Sequence, residues 1–574
     1  MTMSRRSVLK TAAIATSLAA VPRAAARAQA RADEFPDVPM LDEKQSGHLR
    51  HFRNTLALPE GAWGTMTSND PTRAGDHTGY QYQLSGMAHA MAQAFVHRLP
   101  AAPGFFRADM DAAVQKLLHP DVWSYWFAMS QGSPGWNPAL SAPQRPWWDP
   151  VVKENIMYSG HLNHVAALYG YLFNDAKYDA SDAFSFEGFQ ANGFGKDRVE
   201  YSLPTLNDAI YWQFVENGYM GVACMPNQVF VTCSQFPLWG LKWQDARTGG
   251  TRADEAVANH FAAWRRKGGF ASGKETPFLW LAAQNRLELE PKREDGAGRN
   301  VFMSSSWSYW SLHGTNPDYA ASIYDHVTAG SLGVDSRGRP VVLHEREMAR
   351  GRDRFGRGVE VLANGGRPAR AEAYGGPDGR HAGIWGWTSL ILSERADPRL
   401  AGILDYADEN MNPTWSNGGL YYPRNDATWV DDRFVGVSPT SGNANFGYAR
   451  LNVEDGLRKL YELAWDSDTF AQPALSDISR DVDVVRASFL PERNLLLLSL
   501  RPPRSAAGTI ARLEISNVRR PGQGWTLTQD GDTVAAGDAV SVQHSSLRKA
   551  VFEDGKLLLE APVERTTTFA LRWT

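Results

Sequence analysis

From Thr78 to His97 the chain reads TGYQYQLSGMAHAMAQAFVH, with Leu84, Met87, Ala88, Met91 and Phe95 recurring at intervals of three and four. That spacing puts the apolar side chains on one face of a helix, and such a face must be buried against another element. The pattern returns from Asp109 to Met129, Pro150 to Phe173, Leu203 to Gly218, Ala253 to Trp264, Pro317 to Val327, Gly383 to Leu392, Arg399 to Asn410 and Asn445 to Trp465. Loops rich in Pro and Gly separate these stretches. One-faced helices in such number predict a mainly α fold, with stacked helical hairpins closing into an α/α toroid. Convincing strands are scarce here, and Asn227 to Cys233 is one candidate.

The texture changes near residue 472. After Ala471-Gln472-Pro473 come the short apolar runs Asn494 to Leu500, Ala511 to Ile515, Lys556 to Leu559 and Thr567 to Trp573, interleaved with Gly-Gln-Gly, Asp-Gly-Asp and Glu-Asp-Gly turn signals. They predict a small antiparallel β domain over 471–574. This part holds no cysteine and one histidine, His544, so little chemistry is expected in it. The Arg- and Gly-rich stretch from Arg346 to Arg370 predicts a long exposed loop.

Residues 1–30 read as an export signal. Ser4-Arg5-Arg6-Ser7-Val8-Leu9-Lys10 has the twin-arginine form, an alanine-rich apolar run follows, and Ala28-Gln29-Ala30 suits a signal peptidase. The apolar run from Thr11 to Val21 is shorter than the roughly 20 residues a lasting anchor needs, which predicts a periplasmic protein without stable membrane insertion. The catalytic unit is then 31–470. A formal charge of -4 and a pI near 6.4 provide no field for a phosphate backbone, so nucleic acid is excluded as a partner.

Both cysteines of the chain, Cys224 and Cys233, bracket the stretch MPNQVFVT. Along a straight strand, nine steps would hold their Cα atoms roughly 30 Å apart, and a disulfide needs them within about 7 Å. Pro226-Asn227 is a good turn dipeptide and lets the two approach. A bridge across that turn would add about 3 kcal/mol on the chain-entropy model. Twin-arginine export carries folded proteins, which disfavours a bridge needed for folding, and spacing alone leaves staple and reactive pair open.

Two further clusters carry polar chemistry. In NIMYSGHLNHVAALYGYLF, residues 155–173, Met157 and His161 stand one helical turn apart and share a face with Leu168. His164 lies a turn beyond, but neither HExxH nor an acidic third ligand completes a metal site. A core histidine bonded to a carbonyl is the bland alternative for His161. In GDHTGYQYQ, residues 75–83, Asp76 precedes the first strong helix as an N-cap residue would, and Tyr82 falls in its first turns.

In combination these segments resemble the linalool dehydratase/isomerase family. The matching blocks are Asp76 with Tyr82, Asn155 to His161, Gly221 to Cys233 with Gln235-Phe236-Pro237, and Trp415 to Asp426, in the family's order over roughly residues 50–465. The resemblance implies an (α/α)6 barrel, no metal or organic cofactor, and dehydration or hydroxyl migration on a small allylic terpene alcohol; the smaller C-terminal antiparallel β domain looks like an addition to the family pattern. It also implies that Asp76, Tyr82, His161, Cys224 and Cys233 are catalytic, and that Met157, Tyr319, Trp415 and Tyr421 bind substrate. A homo-oligomer with the pocket near a subunit interface is implied too. The chain departs from the family pattern at Leu99 to Phe106, where a further tyrosine is missing, and in the longer segment from Asn174 to Leu203.

The chemistry suits these residue types. Loss of water from an allylic alcohol needs a proton donor to the hydroxyl and an acceptor for a carbon-bound proton. A thiol near pKa 8.5 is mostly protonated at neutral pH and an imidazole near 6.5 can exchange a proton with it. A thiolate adding to the alkene carbon is the covalent alternative. A polysaccharide lyase or hydrolase on an exported toroid is the competing class, with Tyr421, Tyr422 and Arg424 as its residues, though the cysteine block has no part in that chemistry.

Overall fold

Helices fill the chain as far as Tyr461 and strands follow from Ala474. The computed structural model describes residues 35, 37–66, 79–134, 137–188, 197–270, 277–289, 301–328, 332–334, 338–342, 384–422, 429–430, 433–434, 442–520 and 522–574. The export segment, Asp76, the stretch 346–370 and residues 423–428 lie outside these.

The main helices are α1 (Glu43–Leu56), α2 (Gly79–His97), α3 (Pro103–Leu117), α4 (Ile156–Leu172), α5 (Leu203–Glu216), α6 (Val231–Thr248), α7 (Arg252–Arg266), α8 (Val301–Thr315), α9 (Pro317–Thr328), α10 (Ile384–Glu394), α11 (Arg399–Asn410), α12 (Gly442–Leu451) and α13 (Gly456–Tyr461). Their ends follow local chemistry. Asp42 caps α1 by accepting the Gln45 N–H while the Gln45 side chain accepts the Asp42 N–H, and Ser202 with Thr205 does the same for α5. The stretch from Asp109 to Met129 is not one helix: α3 starts earlier, at Pro103, and ends at Leu117, and two single turns, Pro120–Trp123 and Trp126–Met129, follow. The run from Asn445 to Trp465 also divides, because Asp455 takes a left-handed φ of 53° before Gly456.

The packing alternates. Among the described residues α2, α4, α6, α8, α10 and α12 each pack on the next, and α12 returns to α2. The odd-numbered helices lie against them, α3 on α2 and α4, α7 on α6, α9 on α8, α11 on α10, while α13 touches α2, α6 and α8. Along α4 every residue is buried. A stretch packed on all sides has no polar face, and α6 is buried from residue 231 to 241 and α8 from 306 to 314 apart from half-buried Trp307, so neither carries an amphipathic signature there.

A small sheet β1-β2-β3, of Gln228–Phe230, Pro277–Leu281 and Arg286–Leu289, precedes α6 and flanks it. The expected strand from Asn227 to Cys233 is thus a strand only to Phe230.

The C-terminal part is antiparallel throughout. Strands β4 (Ala474–Ile478), β5 (Asp483–Leu490), β6 (Leu495–Arg501), β7 (Thr509–Ser516), β8 (Trp525–Gln529), β9 (Asp532–Gly537), β10 (Val542–Ser545), β11 (Lys549–Glu553), β12 (Lys556–Val563) and β13 (Thr567–Trp573) form a four-stranded sheet, β4-β7-β12-β11, and a six-stranded one, β5-β6-β13-β8-β9-β10. They are joined to the helices by buried ion pairs rather than by a loose linker. Arg50 Nε donates to Asp483 at 2.7 Å, and Asp109 receives both Arg53 and Arg480 at 3.0 and 2.6 Å. Among the described residues no helix is long and apolar enough to cross a membrane.

Candidate active site

The turn between the cysteines is built as its residues dictate. Pro226 fixes the second position, Asn227 takes the third with φ of 76°, and Gln228 N–H closes it onto Met225 O at 2.8 Å. The Cys224 N–H then donates to Gln228 O at 2.8 Å. The reversal brings Cys224 Sγ to 3.4 Å from Cys233 Sγ, with both thiols free and only 3% and 2% exposed. Cys233 stands in the first turn of α6. Pro237, one turn on, has no N–H to give to the Cys233 carbonyl.

Helix α4 lies close against α6. A Cβ at Gly160 would sit 3.1 Å from Pro237 Cδ, and one at Gly240 would sit 1.7 Å from Asn163 Oδ1, so two glycines set this approach. The amino end of α4 is tied to the cysteine segment by Ile156 N–H donating to Ala223 O at 3.1 Å, which sets the Met157 backbone N–H on the side of the Cys224 thiol, where it favours the charged form. One turn further in, the His161 ring sits 4.3 Å from Phe236 of α6 and edge-on to Tyr82 of α2 at 5.0 Å. Trp307 of α8 closes on Tyr82 at 5.2 Å and on Trp387 of α10 at 5.6 Å. These rings join the amino-terminal halves of α2, α4, α6, α8 and α10 in one aromatic cluster.

Polar atoms face this apolar wall without partners. Both nitrogens of His161, both of His89, Nε2 of His164, both ends of Gln81 and Nε1 of Trp307 are buried with no hydrogen bond among the described residues. Each such group costs about 1–3 kcal/mol when left dry, so water or a ligand belongs beside them. His164 donates from Nδ1 to Gly160 O at 2.8 Å, the orientation a carbonyl acceptor requires, and so keeps its Nε2 as an acceptor.

Burial governs the protonation states. It pushes the Cys224 thiol well up, reinforced by Cys233 and opposed by the Met157 N–H. It holds His161 well below the usual imidazole range, with His164 and His89 adding to the effect, and brings His164 down to about 3. Tyr125, hydrogen-bonded to Asn155 Oδ1 at 3.0 Å, is pushed well up by burial and by the proximity of Cys224. At neutral pH the site offers a protonated Cys224 thiol and neutral imidazoles in buried surroundings, a donor and an acceptor without fixed charge. Among the described residues no three His, Cys, Asp or Glu side chains gather as metal ligands.

The structure thus brings together Tyr82, Met157, His161, Cys224 and Cys233. The described contacts of three other residues lead elsewhere. Tyr319 stands edge-on to Phe270 at 4.8 Å. Trp415, in the hairpin Thr414–Ser416/Gly419–Tyr421, lies over Gly47 of α1 and under the Arg504 guanidinium at 4.5 Å. Tyr421 stacks on His51 of α1 at 5.1 Å. Asp76 lies outside the described residues. Sequence reading missed Trp307 and Trp387 as walls, and Tyr125 and Gln81 as polar neighbours. The spacing Trp307, Trp310 was a usable signal, hidden because α8 has no polar face.

The family model for linalool dehydratase/isomerase matches residues 81–428, more than half of the chain and the span that holds all five gathered residues. Among solved structures, a GH127 β-L-arabinofuranosidase from Geobacillus stearothermophilus T6 aligns at 11% identity over 92% of this chain and 76% of its own, with a TM-score of 0.24. A second GH127 β-arabinofuranosidase aligns at 9% identity over 96% and 76%, with a TM-score of 0.19. Superpositions that poor carry no argument for fold or activity.

Proposed function

Because the chain belongs to the linalool dehydratase/isomerase family, we propose that it is a cofactor-independent dehydratase/isomerase of small allylic alcohols, working through Cys224, Cys233 and His161. The observation that carries this reading is the pair of buried free thiols 3.4 Å apart, Cys233 standing on the same helix as Phe236, whose ring lies 4.3 Å from the buried His161 imidazole. In the forward direction the Cys224 S–H gives its proton to the departing hydroxyl, water leaves, and the allylic fragment carries the positive charge. The thiolate left behind accepts hydrogen bonds from Met157 N–H and Cys233 S–H. His161 takes a proton from the carbon next to the cation, which gives the diene. A neutral imidazole suffices because such a cation is a very strong carbon acid. Return of water to the other end of the allyl cation, with its proton passing back to the Cys224 thiolate, gives the isomer, and on the diene route the proton taken by His161 returns to the same thiolate, so both routes restore the resting thiol. Tyr82, Phe236, Trp307 and Trp387 supply the aromatic wall against which the cation forms, and Met157 packs on the hydrocarbon. Asp76 is the further group assigned to hold the hydroxyl.

The ring of α2, α4, α6, α8, α10 and α12 with odd-numbered helices outside is, in this reading, an (α/α)6 barrel whose reaction chamber opens at the amino ends of its inner helices. Export to the periplasm and assembly of several copies belong to the same proposal. Light scattering on the processed protein tests the assembly.

The deciding experiment is turnover of linalool and of shorter and longer tertiary alkenols, followed by headspace gas chromatography. Wild type forms the diene, and Cys224→Ala and His161→Ala do not. No turnover across that panel, together with cleavage of a uronic-acid polymer, would replace this reading with a carbohydrate lyase.

A further inference from the structure

The mechanism uses Cys224 but leaves unexplained why the amino end of α4 points at it. Asn155, just before the helix, sits at φ 59°, ψ 34°, and makes no side-chain cap bond to its own helix. Its side chain is engaged elsewhere. Asn155 Oδ1 accepts the Tyr125 hydroxyl at 3.0 Å, and Asn155 Nδ2 donates to Pro150 O at 3.0 Å. Its carbonyl takes the N–H groups of Tyr158 and Ser159 at 2.9 and 3.0 Å. Asn155 is fully buried and Tyr125 is 4% exposed. A left-handed residue other than glycine persists only where its surroundings hold it, and here a phenol from outside the helix does the holding. That conformation aims the first free N–H groups of α4 outward, with Ile156 N–H on the carbonyl of Ala223, the residue next to Cys224, at 3.1 Å, and the Met157 N–H on the side of the Cys224 thiol.

We propose that Tyr125 and Asn155 are positioning residues for Cys224: their hydrogen bond fixes the amino end of α4 over that sulfur and makes Cys224, rather than Cys233, the thiol that gives up its proton. Neither residue touches substrate in this assignment. The inference rests on the thiol-based reading of the site. Its force comes from a helix amino end carrying about half a positive charge in its open N–H groups, which favours a thiolate beside it. The other titratable groups near the sulfur are Cys233 from α6, Tyr125 itself and Tyr158 from α4, and burial keeps both tyrosines protonated at neutral pH.

The test reads the thiol without substrate. Reduced enzyme is alkylated with iodoacetamide across a pH series, and mass spectrometry of the Cys224 and Cys233 peptides gives a separate midpoint for each, independent of access because each curve is scaled to its own plateau. In Tyr125→Phe the Cys224 midpoint rises by about half a pH unit or more, so alkylation below the midpoint is about threefold slower, while the Cys233 midpoint stays where it was. Asn155→Gly keeps the left-handed backbone without either side-chain bond and shifts Cys224 the same way. An unchanged Cys224 midpoint in a folded variant, or equal shifts of both thiols, overturns the assignment. Failure of the alkenol panel with a shifted Cys224 midpoint would remove the substrate reading and leave the positioning role standing.

Discussion

The two thiols and His161 are residues whose burial works against their stability. His161 is 1% exposed with both nitrogens unpartnered, a state that costs about 1–3 kcal/mol unless a bound molecule repairs it. Filling the same aromatic wall with His161→Phe is therefore expected to raise the urea midpoint by about 1 kcal/mol of stability while diene formation is lost. A His161→Phe protein less stable than wild type would show that His161 is a satisfied core residue. At this scale much was readable in the sequence: Met157 and His161 one turn apart, and Pro226-Asn227 as a turn. The thiol separation was not, since it depends on Val231 beginning a helix where β-branched and aromatic neighbours read as strand. Tyr125 gave no signal, because nothing in the sequence joins it to Asn155.

Helices α4 and α6 are the elements that make the site, and glycine is the reason they can. At Gly240 the space that a Cβ needs is occupied by Asn163 Oδ1, with the His164 Cα a further 3.1 Å contact. Gly240→Ala is expected to cost about 1–3 kcal/mol by overpacking, read from chemical denaturation, and to lower alkenol turnover by moving His161 relative to Cys233. A neutral effect on both would mean that the two helices part without consequence. Amphipathic elements such as α2 and α7 were legible in outline. Helices α6 and α8 were not, since periodicity reports a polar face that residues 231–241 of α6 and 306–314 of α8 lack.

Over the whole molecule the dominant titration is histidine. His48, His51, His89, His161, His164 and His260 are all buried, and desolvation lowers each, to about 4 for His51 and His260 and about 3 for His164. A lowered imidazole contributes stability above the unfolded value of 6.5 and loses it as pH falls, each at about 1.4 kcal/mol per pH unit once the unfolded chain is protonated. Glu394, raised by burial to about 7 despite bonds from Tyr448, Asn452 and Leu457 N–H, acts oppositely between 4.5 and 7. His97 and His313 are lowered as well, each to about 4, while Glu154 and Asp245 are raised by burial, and three carboxyls do not offset eight imidazoles, so the thermal midpoint is expected to fall steeply between pH 6.5 and 5 in calorimetry. A flat profile there would mean that water reaches these rings. The division into a helical part and a β part was legible from texture. The order in which the helices pack on one another was not, because it is set by tertiary contact and not by periodicity. The central claim, that paired free thiols do the chemistry, is tested most directly by titrating active enzyme with an alkylating agent and measuring diene formation against the fraction of Cys224 and Cys233 modified. The account predicts two free thiols at full activity and no turnover once Cys224 is blocked. Full turnover by protein with both cysteines alkylated, or joined to each other as a disulfide, would contradict it.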